Sequence, residues 1–256
     1  MTTIHQFALT DSALGIAEVE EDVFVVVTAG LNGTSASPGS AKIWKVDMLA
    51  CEPKGSPSTV TLIATLPAVG FPNGVTSLPS DKRNVLVADS AKGIIWRVDT
   101  HTGACTVAME NTSFAFASAL LPLGVNGIHV LGSELYFTNT GAGLFGKVNI
   151  TTNGLAAGAV QIITSSVFPD DFALTANGTA YIVGSSALWR ASPDGQVAVL
   201  AGPNDLALEG DTSAHFGRTS KDKDVLYIVT NGGLAAPVDG VVHGGQVLAV
   251  NVDALS

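Results

Sequence analysis

Positive charge is scarce in this sequence, with 12 Lys and Arg against 22 Asp and Glu over 256 residues and a formal net charge of −10. Gripping a phosphate backbone requires clustered Lys and Arg, so nucleic acid and acidic membrane surfaces are excluded as partners. Long apolar runs are missing as well. None approaches the ~20 residues that span a bilayer, and Met1 to Thr10 is too polar for a signal peptide. With no targeting segment, the chain is expected in the cytoplasm if it is complete, and in the secretory pathway only if an N-terminal piece is missing. In the second case Asn32, Asn111, Asn149 and Asn177 would be glycosylation acceptors. No stretch carries helical periodicity. No G-x-S-x-G elbow, Walker loop, dinucleotide fingerprint or H-E-x-x-H occurs, which removes the usual nucleophile, phosphate, dinucleotide and zinc-protease chemistries.

The sequence is rich instead in apolar residues (46%) and glycine (28 residues), the profile of strands and turns. Phe71 to Asp99 reads as an antiparallel meander: Asn73-Gly74 opens a short apolar strand, a polar turn follows, Val85 to Asp89 returns, and Ile94 to Val98 runs out again. The same plan recurs at Leu14-Gly15, Asn126-Gly127, Asp171-Phe172 and Thr212-Ser213. The intervals between the second residues of these openings are 59, 53, 45 and 41 residues, bracketing the ~40 to 50 of a propeller blade. The expected fold is all-β, a β-propeller of four-stranded antiparallel blades with five repeats, in a single domain over 1–256. The last repeat lacks an outermost strand, and Thr2 to Phe7 is a lone strand-like segment. Pairing of that segment beside Gln246 to Val250 would close the ring; the alternative is that it belongs to an upstream blade outside this chain.

Propeller topology puts the loops that open first strands and leave second strands on one face. That top face is expected to collect Phe71, Asn73, Asn126, Phe168, Asp170, Asp171 and Thr212, with the insertions at Gly30 to Ser40 and Asn231 to Gly244. Polar groups from several blades then converge on the channel mouth. An Asn-Gly pair also shapes turns, and one of Asp170 and Asp171 is as suited to capping as to acid-base work. His215, inside the first strand of the last repeat, fits a packed or channel-lining role before a catalytic one. Trp44, Trp96 and Trp189 recur in third strands before Lys or Arg, which marks blade packing. Cys51 and Cys105 fall on the bottom face in neighbouring blades, where either a disulfide or two free thiols are compatible with the sequence.

The stretches FPNGVTSLPSDKRNVLVADSAKGIIWRVD, LGVNGIHVLGSELYFTN, FPDDFALTANGTAYIV and TSAHFGRTSKDKDVLYIVTNGG together resemble the regucalcin/gluconolactonase-like β-propeller family, in its fungal branch. The resemblance covers most of the chain. Lactone-hydrolysing members hold a divalent metal with a first-blade Glu, an Asn from an N-G opening and an Asp from a P-D-G opening. By motif, Asn73 or Asn126 would stand for the Asn and Asp170 or Asp171 for the Asp. The Glu has no counterpart, since the first opening is Leu14-Gly15 and Glu18 lies farther along. The family ring also usually has six blades. A hard cation needs several oxygen ligands, so the missing carboxylate argues against a metal or other cofactor at the mouth.

The fungal branch includes proteins similar to hetero-Diels-Alderases of tropolone-sesquiterpene biosynthesis, which join a quinone methide to an alkene. The resemblance therefore implies a metal-independent cyclase that takes an apolar small molecule, with Asn73, Asn126, Asp171 and His215 as catalytic contacts. Phe71, Phe168, Asp170, Thr212 and Phe216 would bind substrate. A metal-dependent lactonase is the second expectation and a non-catalytic binding propeller the third.

Overall fold

The computed structural model describes residues 3–8, 10–48, 59–118 and 120–252. Four sheets have four antiparallel strands and a fifth has three, in the order the repeats predict. Blade one runs through Ser12–Glu20, Val23–Ala29, Lys42–Asp47 and Thr59–Thr65, with the small ribbon Leu31–Asn32/Ser35–Ala36 in its insertion. Blade two comprises Pro72–Leu78, Asp81–Asp89, Ile94–Asp99 and Cys105–Glu110. Blade three comprises Val125–Leu131, Glu134–Asn139, Leu144–Asn149 and Gln161–Thr164. Blade four comprises Asp171–Leu174, Ala180–Gly184, Ala187–Ala191 and Val197–Ala201. Blade five has Asp211–Phe216, Val225–Thr230 and Val247–Asn251. First strands of successive blades touch one another, so they are the innermost ones.

Two-residue side-chain alternation builds the ring. In the second strand of blade two, Val85 and Val87 pack toward blade one while Leu86 and Ala88 pack toward blade three. Being buried on both faces, the strand reads as a continuous apolar run. Leu135 and Phe137 face blade two and Tyr136 faces blade four; Tyr181 and Val183 face blade five. Four apolar clusters result, one at each junction from one-two to four-five.

The tryptophans act as blade packing. Trp96 is buried and donates Nε1–H to Asp89 Oδ2 at 3.0 Å. That fully buried carboxylate also accepts the backbone N–H of Gly70, Phe71 and Lys92, tying the start of the blade to its third strand. Trp44 donates to Thr28 in the same way.

The closure expected from Thr2 to Phe7 does not occur. Residues 3–7 form no strand, and among the described residues the sheet of blade five ends in Val247–Asn251 with no N-terminal partner. The Phe7 ring lies on Trp44 of blade one instead, centroids 5.3 Å apart, with His5 edge-on to it. That contact packs the Phe7 ring against the indole, a tilted aromatic pair of the favourable kind. Where blade five meets blade one, the described residues form no apolar cluster comparable to the other four. The link there is Arg218, which pairs with Glu18 and Asp22 and lies 5.9 Å from the Phe24 ring centroid. Cys51 lies outside the described residues; burial pushes the Cys105 thiol up to about 11.

Candidate functional site at the channel mouth

Glycine at the second position of an opening lets neighbouring innermost strands approach. A Cβ on Gly74 would stand 2.4 Å from the Asn126 carbonyl oxygen, and one on Gly127 would stand 2.3 Å from Asp171 Oδ1. The N-G pairs thus set inter-blade spacing, and the side chains beside them are held at the openings of the innermost strands as a consequence.

Asn126 and Asp170 come together there. Buried Asn126 donates from Nδ2 to Asp170 Oδ1 at 2.7 Å and to Thr140 Oγ1 at 2.8 Å. Thr138 Oγ1 donates to the Asp170 carbonyl, and the Gly127 N–H reaches the same oxygen, so blade three holds the opening of blade four by backbone and side chain. Burial, then the nearby charges of Asp171 and Asp211, push the Asp170 carboxyl up to about 8, against the Asn126 hydrogen bond. At neutral pH Asp170 is therefore largely a carboxylic acid, with a proton to donate.

Asp171 bridges three blades. Its Oδ1 is 2.9 Å from His129 Nε2 of blade three, and its Oδ2 accepts Ser213 Oγ–H of blade five at 2.8 Å. His129 is 25% exposed and stands edge-on to Phe172, with ring centroids 4.8 Å apart. His215 lies two blades farther round, in blade five, 6.4 Å from His129 between centroids, with its Nδ1 on the Phe216 carbonyl. Beneath them Asp211 accepts the N–H groups of Gly184, Ser186 and Ala187, and burial still pushes its carboxyl up to about 6.

The remaining residues singled out from sequence are spread more widely. Asn73 donates to Ser90 Oγ, which passes its own proton to the Val125 carbonyl. Thr212 is half-buried and contacts the Val229 carbonyl. Phe168 is 69% exposed, whereas Phe71 is buried beside Asp89 and Phe216 packs on Tyr181 at the junction of blades four and five. His129 and Ser213 were not singled out from sequence. The signal available for His129 was its parity with Gly127, two residues earlier on the same strand face. Two shallow grooves, one beside Tyr181 and Arg190 and one beside Glu18 and Arg218, are lined by other residues.

No known family profile matches the sequence. A protein from a Phoma species named "Putative hetero-Diels-Alderase" is 28% identical over 86% of this chain and 70% of its own length. A second protein of that name, from Sarocladium schorii, is 29% identical over 85% of this chain and 63% of its own. This chain therefore spans about two thirds of the length of these relatives. Among solved structures, a calcium-binding regucalcin from Agrobacterium tumefaciens superposes with a TM-score of 0.57 at 15% identity, covering 93% of this chain and 89% of that one. A nidogen/laminin complex chain gives 0.64 at 14% identity over 95% of this chain and 77% of that one. A streptogramin B lyase gives 0.54 at 15% identity over 93% and 65%. The chain is a β-propeller, similar in fold to regucalcin among others, and in sequence it is similar to proteins named as hetero-Diels-Alderases.

Proposed function

We propose that the channel mouth binds an apolar enone or quinone methide together with an alkene and promotes their hetero-Diels-Alder cycloaddition. In that reaction the O=C–C=C unit and the alkene form one C–O and one C–C bond; no atom leaves and no net proton moves. A protein accelerates it by holding the partners face to face, donating a hydrogen bond to the enone oxygen and excluding water. No nucleophile is required.

The observation that carries this reading is a carboxylic acid, Asp170, next in sequence to a carboxyl group, Asp171, that bonds residues of two other blades. Asp171 holds His129 and Ser213, while Asp170 keeps its proton to about pH 8. In this reading Asp170 is the donor to the enone oxygen, and His129, oriented by the bond from its Nε2–H to Asp171, is a neighbouring polar contact. Asn73, Asn126, His215 and Thr212 are the further polar contacts, with Phe71, Phe168 and Phe216 as apolar walls. The names of the two fungal relatives support the same class of substrate.

Metal-dependent lactone hydrolysis is the second reading, favoured by the closeness of Asn126 and Asp170. Against it, the first-blade carboxylate nearest in sequence, Glu18, is engaged with Arg218 at the other end of the blade. The test is an assay with an ortho-quinone methide plus a polyene, and in parallel with simple lactones, each with and without chelator. Accelerated cycloadduct formation is expected. Hydrolysis of lactones that chelator abolishes and Ca²⁺ restores would overturn the proposal, as would cycloaddition at the uncatalysed rate.

A further inference from the structure

The insertion at 231–246 folds back on itself through the His243 N–H to the Gly232 carbonyl at 2.8 Å, and Gln246 N–H reaches Thr230 Oγ1. This brings Asp239 and His243 over Glu209, which follows the single 3₁₀ turn Leu206–Leu208 before the first strand of blade five. The Glu209 side chain is only 3% exposed. Its Oε1 accepts the Val238 N–H at 2.5 Å, but its Oε2 is buried with no hydrogen-bond partner. That oxygen lies 3.6 Å from His243 Nε2, too far for a hydrogen bond. His243 Nε2 in turn is 3.2 Å from Asp239 Oδ2, and one ligand atom from each of the three residues lies within 4.8 Å of the others.

A buried carboxylate oxygen without a partner is costly, and no Lys or Arg among the described residues pairs with it. We infer that Glu209, Asp239 and His243 form a binding site for one divalent transition-metal ion, with zinc as the fitting member. Ligands about 2.0–2.2 Å from a tetrahedral ion stand roughly 3.3–3.6 Å apart, close to the 3.6 and 3.2 Å from His243 Nε2 to Glu209 and Asp239. One imidazole with two carboxylates suits zinc better than calcium, which takes 6–8 oxygens. Two negative charges facing a dication leave the site neutral. Bound zinc would clamp the insertion onto the loop that opens blade five, and three protein ligands leave a fourth position for water or a ligand oxygen. The site does not depend on the cycloaddition reading.

The experiment strips the full chain with chelator, adds zinc, calcium or manganese chloride, and measures metal retained after gel filtration together with thermal stability. About one zinc per chain and a raised Tm are expected, with His243→Ala and Glu209→Gln each weakening zinc by at least about 100-fold while their circular dichroism stays native, more than the loss typical of an outer-shell partner. Retention well below one zinc per chain would overturn the inference. So would a preference for calcium, or zinc binding unchanged in the two variants. Because the readout is metal content, failure here leaves the cycloaddition proposal standing.

Discussion

His129 Nε2 of blade three stands 2.9 Å from Asp171 Oδ1 of blade four, and the second oxygen of that carboxylate is bound by Ser213 of blade five. One side chain thus joins three blades. A carboxylate accepts only, so Nε2 of His129 carries a proton and the ring orientation is set by Asp171.

Replacing Asp171 by Asn removes the charge and leaves His129 free to turn. If the His129–Asp171 hydrogen bond orders the substrate contacts, Asp171→Asn should lower kcat/KM for cycloaddition by roughly 10 to 1,000-fold without abolishing it. His129→Ala should cost a similar factor, and the double variant should lose little more than either single one, since both act through one hydrogen bond. Steady-state kinetics of the three variants check this; additive losses would separate the two residues.

Asp170 supplies a pH dependence with a definite sign. Its folded value of about 8 lies above the ordinary 3.8, so the proton is bound more tightly in the native state. The stability it contributes is full below about 4 and is lost as pH rises through about 8. Asp211, raised to about 6, adds the same trend over the lower part of that window. Wild type and Asp170→Asn should therefore unfold alike near pH 4, and the variant should be the more stable near pH 9. Activity, if Asp170 is the donor, should fall above about pH 8 in wild type, and that limb should vanish in Asp170→Asn.

Gly127→Ala tests the strand spacing. The new methyl would meet Asp171 Oδ1 at 2.3 Å and its Cα at 2.8 Å, and a backbone atom cannot swing aside. A loss of about 1–3 kcal/mol in denaturant unfolding is expected, as for other overpacked sites. Cycloaddition should fall with it, because the same contact holds Asp171.

Arg218→Ala tests the junction of the last and first blades. Its ion pairs with Glu18 and Asp22 are solvent-exposed, so the loss of stability should be small and should shrink from low to high salt. Hydrogen exchange should nonetheless quicken in Val225–Thr230 and in Val23–Ala29, the second strands beside that junction. Unchanged exchange would mean that other contacts hold the two blades.

The repeat, the blade count and the position of Asn126, Asp170 and Asp171 at the openings of first strands were legible in the sequence, because each is a local property. Alternation along Val85 to Ala88 marks a strand wherever it lies, and an N-G or D-D pair before such a strand stays at its beginning. Other features depend on which surfaces meet. Thr2 to Phe7 has the pattern of a strand, yet only the folded chain presents Trp44 for Phe7 to cover. His129 looks like an ordinary mid-strand residue until Gly127 lets blade four close to hydrogen-bonding distance, and Ser213 gains its partner only through the angle between blades four and five. The Glu209, Asp239 and His243 cluster joins residues 30 and more positions apart across two loops. Period and turn chemistry act over a few residues and are written in order along the chain, whereas contacts between blades are chosen by packing the whole ring.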